Sequence, residues 1–370
     1  MVIETTKERL EYALGRVVRA TTRQSTLPVL SCVFFDLQNG TLVVRGTNLD
    51  LGAEVSIPVK SNNKVAFAVP GALILSVVSA LPPESLVSLQ YSDTNLQITS
   101  GGRSSVIRTV PHEDFPVLPR VSRDVAIHIP IEGLLHGFRS VWYSASVSTV
   151  KPELGAVAVS VVGGSFVFAA TDAFRLAEKR IPLSTSDANG DSFNQLLIPF
   201  KNTPEIIRIL EGVSGSVEVA ISGSQIGLYT DSIYVTSRVV EGTFPDYQQI
   251  IPREFATHAV LLKHDFLRAL KGITVFSDKF NQVRCTIRPS KKSFEIATRN
   301  TDVGESHEEI QATLSGDDLD IVFNHRYIMD CFQSIPDESI QLRFGGQGKP
   351  LLIQGSSDDS FLYLVMPMNK

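Results

Sequence analysis

Cysteine is scarce in this chain: Cys32, Cys285 and Cys331 are odd in number and lie far apart. They form neither a disulfide framework nor a metal-binding pattern, and they suggest a reducing cytosol. Long apolar runs are missing too, since none approaches the roughly 20 residues needed to span a membrane. The opening residues, Met-Val-Ile-Glu-Thr-Thr-Lys-Glu, carry no secretory-leader pattern. These absences lead to the expectation of a soluble, cytoplasmic protein. Net positive charge is absent as well. A formal charge of −5 at pH 7 argues against holding nucleic acid by overall attraction, but leaves room for a locally basic surface.

Catalytic patterns are equally thin. The histidines at positions 112, 128, 136, 258, 264, 307 and 325 show no spacing that selects a general base, and there is no Gly-x-Ser-x-Gly elbow. His307-Glu308-Glu309 lacks the second His of a zinc-binding His-Glu-x-x-His. Gly345-Gly-Gln-Gly-Lys349 has Arg343 where a phosphate loop needs its first Gly and Pro350 where it needs Ser or Thr, so it reads as a turn between strands. Asp317-Asp318 and Asp358-Asp359 read as solvated loop charges. The expectation is therefore no catalytic residue, no metal and no cofactor. A hydrolase whose site assembles only in three dimensions is the enzymatic alternative.

What is present is repetition. The chain has 370 residues, 43% of them hydrophobic and 20% charged, enough for two or three domains with cores of their own. Helix-like stretches start at Lys7, Ile131 and His264, each with apolar residues on one face: Leu10, Leu14, Val17 and Val18; Leu134, Leu135, Phe138, Val141 and Trp142; Phe266, Leu267, Leu270 and Ile273. A second series covers Pro70 to Leu81, Pro199 to Leu210 and His325 to Ile335. Pro70 and Pro199 suit a first helical turn, and Asn324 suits an N-cap. Both series recur after about 130 residues, the mark of a triplicated unit.

Each unit also predicts strands between its helices, clearest at Ser31 to Leu37, Thr41 to Thr47 and Ala53 to Pro58. Three alternating strands follow the second helix, over Leu86 to Val110, Val217 to Val240 and Ile340 to Val365. This is α+β layering in three repeated domains, 1–123, 124–254 and 255–370, with connectors near Arg123 and Glu254. Units joined head to tail can close a ring, alone or with a second copy. Arg9, Arg16, Arg19 and Arg23 are spaced to share one side of the first helix, Lys201 and Arg208 the fourth, and Arg268 and Lys271 the fifth. Such faces are either solvated or turned to a phosphate backbone, and no base-reading motif accompanies them.

One stretch stands apart. The apolar run Phe166 to Ala170 predicts a strand, and Thr171 and Asp172 break it with side chains suited to bonding local backbone. Phe174 and Leu176 then place large apolar groups at a turn, as a core plug or one wall of a docking groove.

These features resemble the bacterial DNA polymerase III beta subunit family, the replicative sliding clamps. The carrying residues are Thr26-Leu-Pro-Val-Leu30, Gly46-Thr-Asn-Leu-Asp50, Ala170-Thr-Asp-Ala-Phe-Arg-Leu-Ala177, Glu241-Gly-Thr-Phe-Pro-Asp-Tyr247 and Val365-Met-Pro-Met368, spread over all three units. The resemblance implies a head-to-tail homodimeric ring of six DNA-clamp domains, with helices lining a central hole and antiparallel sheets outside. It implies a processivity factor that encircles double-stranded DNA independently of sequence. Its partners would be the DNA polymerase III alpha subunit, a clamp loader complex, and other DNA polymerases and repair proteins carrying clamp-binding peptides, with no membrane involved. A clamp-fold scaffold without DNA threading is the non-enzymatic alternative.

Carried over residue by residue, the resemblance places a peptide pocket at Leu154, Thr171, Ala173, Phe174, Arg175, Leu176, Pro245, Gln249, Ile250, Val365, Met366, Pro367 and Met368. It gives Arg23, Arg103, Lys151 and Lys201 to DNA, and sets Val106 and Ile107 against Thr274, Val275 and Phe276 of a second copy. The chain departs from the family pattern where Ala173-Phe174 replace Gly-His, where Gln248 and Gln249 replace arginines, and at Asn369-Lys370. Those changes imply a pocket more apolar and less basic than usual.

Overall fold

The computed structural model describes residues 2–22, 27–61, 64–92, 94–123, 126–148, 150–183 and 195–368. The first third of the chain runs β1 (Val2–Thr6), α1 (Lys7–Val17), β2 (Cys32–Gln38), β3 (Thr41–Thr47), β4 (Leu51–Pro58), β5 (Val65–Pro70), α2 (Gly71–Ser79), β6 (Leu86–Ser92), β7 (Asn95–Ser100) and β8 (Arg103–Arg108). The middle runs β9 (Ala126–Pro130), α3 (Ile131–Val141), β10 (Ala156–Val162), β11 (Ser165–Thr171), β12 (Arg175–Pro182), β13 (Leu196–Pro199), α4 (Thr203–Leu210), β14 (Ser216–Ser222), β15 (Gln225–Tyr229) and β16 (Ile233–Arg238). The last part runs β17 (Thr257–Leu262), α5 (Lys263–Ile273), β18 (Gln282–Arg288), β19 (Ser293–Asn300), β20 (Gly304–Glu309), β21 (Ala312–Gly316), β22 (Leu319–Asn324), α6 (His325–Asp330), β23 (Ser339–Phe344), β24 (Leu351–Gly355) and β25 (Phe361–Val365).

The order helix, strands, helix, three strands thus occurs three times. Helix starts agree with the expected periodicity except at the fourth helix. Pro199 is not in a helical first turn: it closes β13 opposite Ala156, and α4 begins at Thr203 with Pro204 in its first turn. An edge strand tolerates proline because its missing N–H is not needed on the open side, so the same residue fits either context. Pro70 likewise ends β5 and sits just before α2. Asn324 is the cap expected, accepting from the Arg326 N–H at 3.0 Å.

Two compact units emerge, Met1–Leu135 with Lys201–Val239, and His136–Phe200 with Val240–Lys370. The first holds a four-stranded sheet, β1-β6-β7-β8, and an eight-stranded one, β5-β2-β3-β4-β16-β15-β14-β9. The second holds a nine-stranded sheet, β13-β10-β11-β12-β25-β24-β23-β17-β21, and a four-stranded one, β20-β19-β18-β22. Each strand pair is antiparallel, and alternate side chains enter the core. In the first unit, α1 buries Leu10, Ala13, Leu14 and Val17, and Gly46 of β3 lets it come close. A Cβ at Gly46 would lie 2.7 Å from the Val17 carbonyl oxygen. In the second, α5 buries Phe266, Ala269, Leu270 and Ile273.

Candidate functional site

The strand-breaking turn after β11 is built as its composition suggests. The Thr171 hydroxyl donates to the Arg175 carbonyl at 2.6 Å and accepts from the Ala173 N–H at 3.1 Å. One Asp172 oxygen accepts from the N–H groups of Phe174 and Arg175, both at 3.0 Å. The clasp holds Ala173 at φ +74°, a left-handed conformation that costs a side-chain-bearing residue about 1–2 kcal/mol. It pushes Phe174 outward, where the side chain is 62% exposed.

Arg175 turns the other way and is only 11% exposed. Its Nε donates to Asp172 at 3.0 Å, one terminal nitrogen to Asp330 at 2.5 Å, and the other to the Tyr143 carbonyl at 2.6 Å. The guanidinium carbon also lies 4.5 Å from the centre of the Tyr327 ring. Burial acts to lower its pKa, but Tyr363, Asp172 and Asp330 outweigh burial and raise it. Arg175 therefore ties β12 to the turn that follows α3 and to the end of α6, a role its sequence neighbourhood does not announce.

The C-terminal strand lies beside this turn. Arg175 pairs with Val365 and Leu176 with Leu364, and the Met366 N–H donates to the Phe174 carbonyl at 2.8 Å. Met366, Pro367 and Met368 are half-buried, and the Met368 N–H donates to the Val322 carbonyl of β22 at 2.8 Å. Pro367 and Met368 help line a concavity of about 230 Å³ with Asp320, Ile321, Val322, Gln347 and Gly348.

The third stretch divides its residues. Phe244 and Tyr247 go into a core with Leu176, Leu197, Leu352 and Leu364. The Tyr247 hydroxyl donates to buried Glu178 at 2.5 Å, and burial and that carboxylate raise its pKa. Pro245, Gln249 and Ile250 stay exposed, Ile250 by 50%. Of the expected pocket residues, Leu154, Thr171, Leu176 and Val365 are buried, while Ala173, Phe174, Pro245, Gln249 and Ile250 are exposed. All of them belong to the second unit.

The charge expectations divide as well. Lys151, Lys201 and Arg103 are exposed, though one Arg103 terminal nitrogen donates to the Ala80 carbonyl at 2.7 Å; Arg23 lies outside the described residues. Arg16 is half-buried, donating to the Glu211 carbonyl at 2.8 Å, with its guanidinium carbon 3.6 Å from the centre of the Tyr12 ring. The Asp358 expectation is corrected. Asp358 accepts at 2.9 Å from Lys179, which is only 4% exposed. Burial raises its pKa, but bonds from Ser360 and Lys179 prevail and hold it at about 2. Asp358 and Lys179 are 179 residues apart, beyond any local signal. Val106 and Val275 are 62% and 76% exposed, Thr274 and Phe276 are half-buried, and Ile107 points inward. Among the described residues, no cluster of His, Cys, Asp or Glu could hold a metal ion, and no helix is long and apolar enough to cross a membrane.

Three repeats of helix, strands, helix and three strands, with an exposed apolar patch at one strand junction, define a triplicated α+β protein. Sequence models of the DNA polymerase III beta subunit match it in three consecutive pieces: the N-terminal domain over residues 1–119, the central domain over 129–246 and the C-terminal domain over 248–369. The chain belongs to the DNA polymerase III beta subunit family. The beta sliding clamp of Synechococcus elongatus is 28% identical over 98% of this chain and 97% of its own length. The beta sliding clamp of Bacillus subtilis is 25% identical, covering 98% of each chain. Among solved structures, a sliding clamp of Bartonella birtlesii bound to griselimycin superposes with a TM-score of 0.93, at 26% identity and full coverage of both chains.

Proposed function

We infer that this protein is a DNA sliding clamp, a processivity factor that encircles duplex DNA and tethers the replicative polymerase and other DNA-maintenance proteins. The observation that carries this is the end-to-end correspondence with all three beta-subunit domains. A closed ring stays on DNA by topology, so weak, screened phosphate contacts suffice and an acidic body is no obstacle. Tethering raises the polymerase's local concentration at the primer end. The protein acts as a head-to-tail homodimer in the cytoplasm and performs no catalysis; opening and loading fall to a separate clamp loader.

Within this reading the domains run 1–123, 124–254 and 255–370. Arg103, Lys151 and Lys201, with Arg23, meet DNA phosphates. Subunits join through Val106 and Ile107 against Thr274, Val275 and Phe276. The edge positions of β8 and β20 support that joint, since each has one side unpaired among the described residues, with Arg103 and Arg108 on one and Glu305, Glu308 and Glu309 on the other. The apolar surface of exposed Phe174 and Ile250 with half-buried Met366 to Met368 supports docking of partner peptides, including one from the polymerase III alpha subunit.

The test is retention after loading on nicked circular DNA, followed by linearisation. A clamp stays on the circle and slides off the cut ends. Equal loss from both, or a solution mass of one chain at micromolar concentration, overturns the reading.

A further inference from the structure

The connector between the first and middle repeats lies on the eight-stranded sheet, over one cross-strand row. Arg45 of β3 stands opposite Glu54 of β4, and Glu54 opposite Tyr234 of β16. Tyr234 stands opposite Tyr229 of β15, and Tyr229 opposite Glu218 of β14. Residues in register on neighbouring strands share a face. The row therefore crosses the join between β4, from the first repeat, and β16, from the middle one.

Four strands of that row hold the connector. One terminal nitrogen of Arg120 donates to both Glu54 oxygens at 2.6 Å. The Tyr234 hydroxyl donates to the Pro119 carbonyl at 2.5 Å and accepts from the Val121 N–H at 3.3 Å. The Tyr229 hydroxyl donates to the Val121 carbonyl at 2.7 Å. Arg123 lies 3.4 Å from Glu218, its guanidinium carbon 3.9 Å from the centre of the Tyr229 ring. The sheet also leaves room for two apolar side chains. A Cβ at Gly52 would lie 2.6 Å from the Leu118 side chain, and one at Gly227 2.9 Å from the Val121 Cβ. Leu118 and Val121 are accordingly buried. Arg120 spans the join, bonding Glu54 on one side and standing over the Tyr234 ring on the other. Arg123 meets only β14 and β15, both from the middle repeat. On the other face of the sheet α1 and α4 pack together, and Arg16 bonds the Glu211 carbonyl.

We propose that residues 118–123 form a latch that keeps the β4–β16 join closed, with Arg120 as the positioning residue that spans it. Strands from different repeats have no tight turn between them, so their ladder depends on what covers it. Uncovering the ladder lets its backbone bonds open locally to water. The latch does not depend on ring formation or on peptide docking.

Amide hydrogen exchange of the full chain, read strand by strand by mass spectrometry, tests this. Arg120→Ala should speed exchange in β4 and β16 about five- to tenfold while β2 and β14 keep their rates. Tyr234→Phe keeps the ring and removes the hydroxyl, and should give the same pattern at smaller amplitude. Arg123→Ala should leave the join unchanged, because its partners lie on one side of it. Equal speeding in all strands of the sheet overturns the proposal, since the connector would then add only general stability. Unchanged rates in β4 and β16 for both Arg120→Ala and Tyr234→Phe overturn it too, since the ladder and helices would then hold the join unaided. Opening of the join by Arg123→Ala as well overturns the part given to Arg120. Should Arg120→Ala fail to fold by circular dichroism, Tyr234→Phe decides.

Discussion

The two compact units contain the same clasp, put to different ends. In the first unit, Thr47 donates to the Leu51 carbonyl at 3.0 Å and accepts from the Leu49 N–H at 3.0 Å. Asn48 accepts from the N–H groups of Asp50 and Leu51 at 3.0 and 2.7 Å. Each bond has its counterpart at Thr171 and Asp172, and Leu49 has φ +77° where Ala173 has +74°. The next strands agree as well. Leu51 pairs with Ser237 as Arg175 pairs with Val365, and Arg238 donates to the Asp50 carbonyl as Met366 donates to that of Phe174, both at 2.8 Å. Identical backbone bonding therefore carries different surfaces. In the first unit the turn's last residue is buried Leu51, which needs no partner, and the strand runs on into Arg238 and Val239. In the second, the same position is Arg175 and the strand ends in Met-Pro-Met.

Three residues beyond each clasp sits a buried glutamate, and here the units differ in charge. Glu54 takes Arg45 at 2.6 Å and Arg120 at 2.6 Å. Burial raises its pKa, but these arginines outweigh it and the net shift is down. Glu178 instead takes the hydroxyl of Tyr247 and the guanidinium of Arg180 at 2.8 Å. A half-buried ion network centred on Glu54 thus covers the sheet in the first unit, with the Arg120 guanidinium carbon 4.5 Å from the centre of the Tyr234 ring. In the second, a buried phenol fixes the segment that ends at Ile250.

The contrast is broken most severely at the clasp's last residue. Arg175→Ala strands Asp172 beside a void and should cost about 3–5 kcal/mol in denaturant unfolding. A cost below about 1 kcal/mol would mean the tie is incidental. At the glutamates, Glu54→Gln is expected to lose about 2 kcal/mol, because charge-assisted bonds weaken to neutral ones. Tyr247→Phe should lose about 1–2 kcal/mol and loosen the Pro245 to Ile250 segment, seen as faster amide exchange there. If Tyr247→Phe proves the more costly, the stronger anchor lies in the second unit after all. Ala173→Gly, relieving a left-handed alanine, should stabilise by up to about 1 kcal/mol after glycine's own entropy is set against it. A lower unfolding midpoint would show that the clasp imposes no strain.

The smallest effect is one of pH. Asp358 has a folded pKa of about 2 against an ordinary 3.8. Its stabilisation is complete above about 3.8 and disappears as pH falls through 2. Asp358→Asn should remove that part of the acid dependence, and an unchanged acid-unfolding curve would place the sensitivity elsewhere.

Much of the architecture was legible in the chain because it depends on local periodicity. The helix starts, the three-strand tails and the Asn324 cap follow from apolar spacing and turn chemistry, and the triplication from their recurrence. The proposed docking surface rests on family resemblance at Thr171 to Leu176 and at Val365 to Met368. Pro199 misled because its fixed φ suits both an edge strand and a first helical turn.

The sequence alone determined which segments are helix or strand, where Thr–Asx turns stop them, and that the module recurs, because each is settled among near neighbours. Only the tertiary structure decided that Arg175 is spent on Asp330 and Tyr143, that Lys179 and Asp358 are partners, and that Tyr247 points inward while Ile250 points out. Those outcomes depend on which distant groups share a region of low dielectric, and chain spacing carries no record of that.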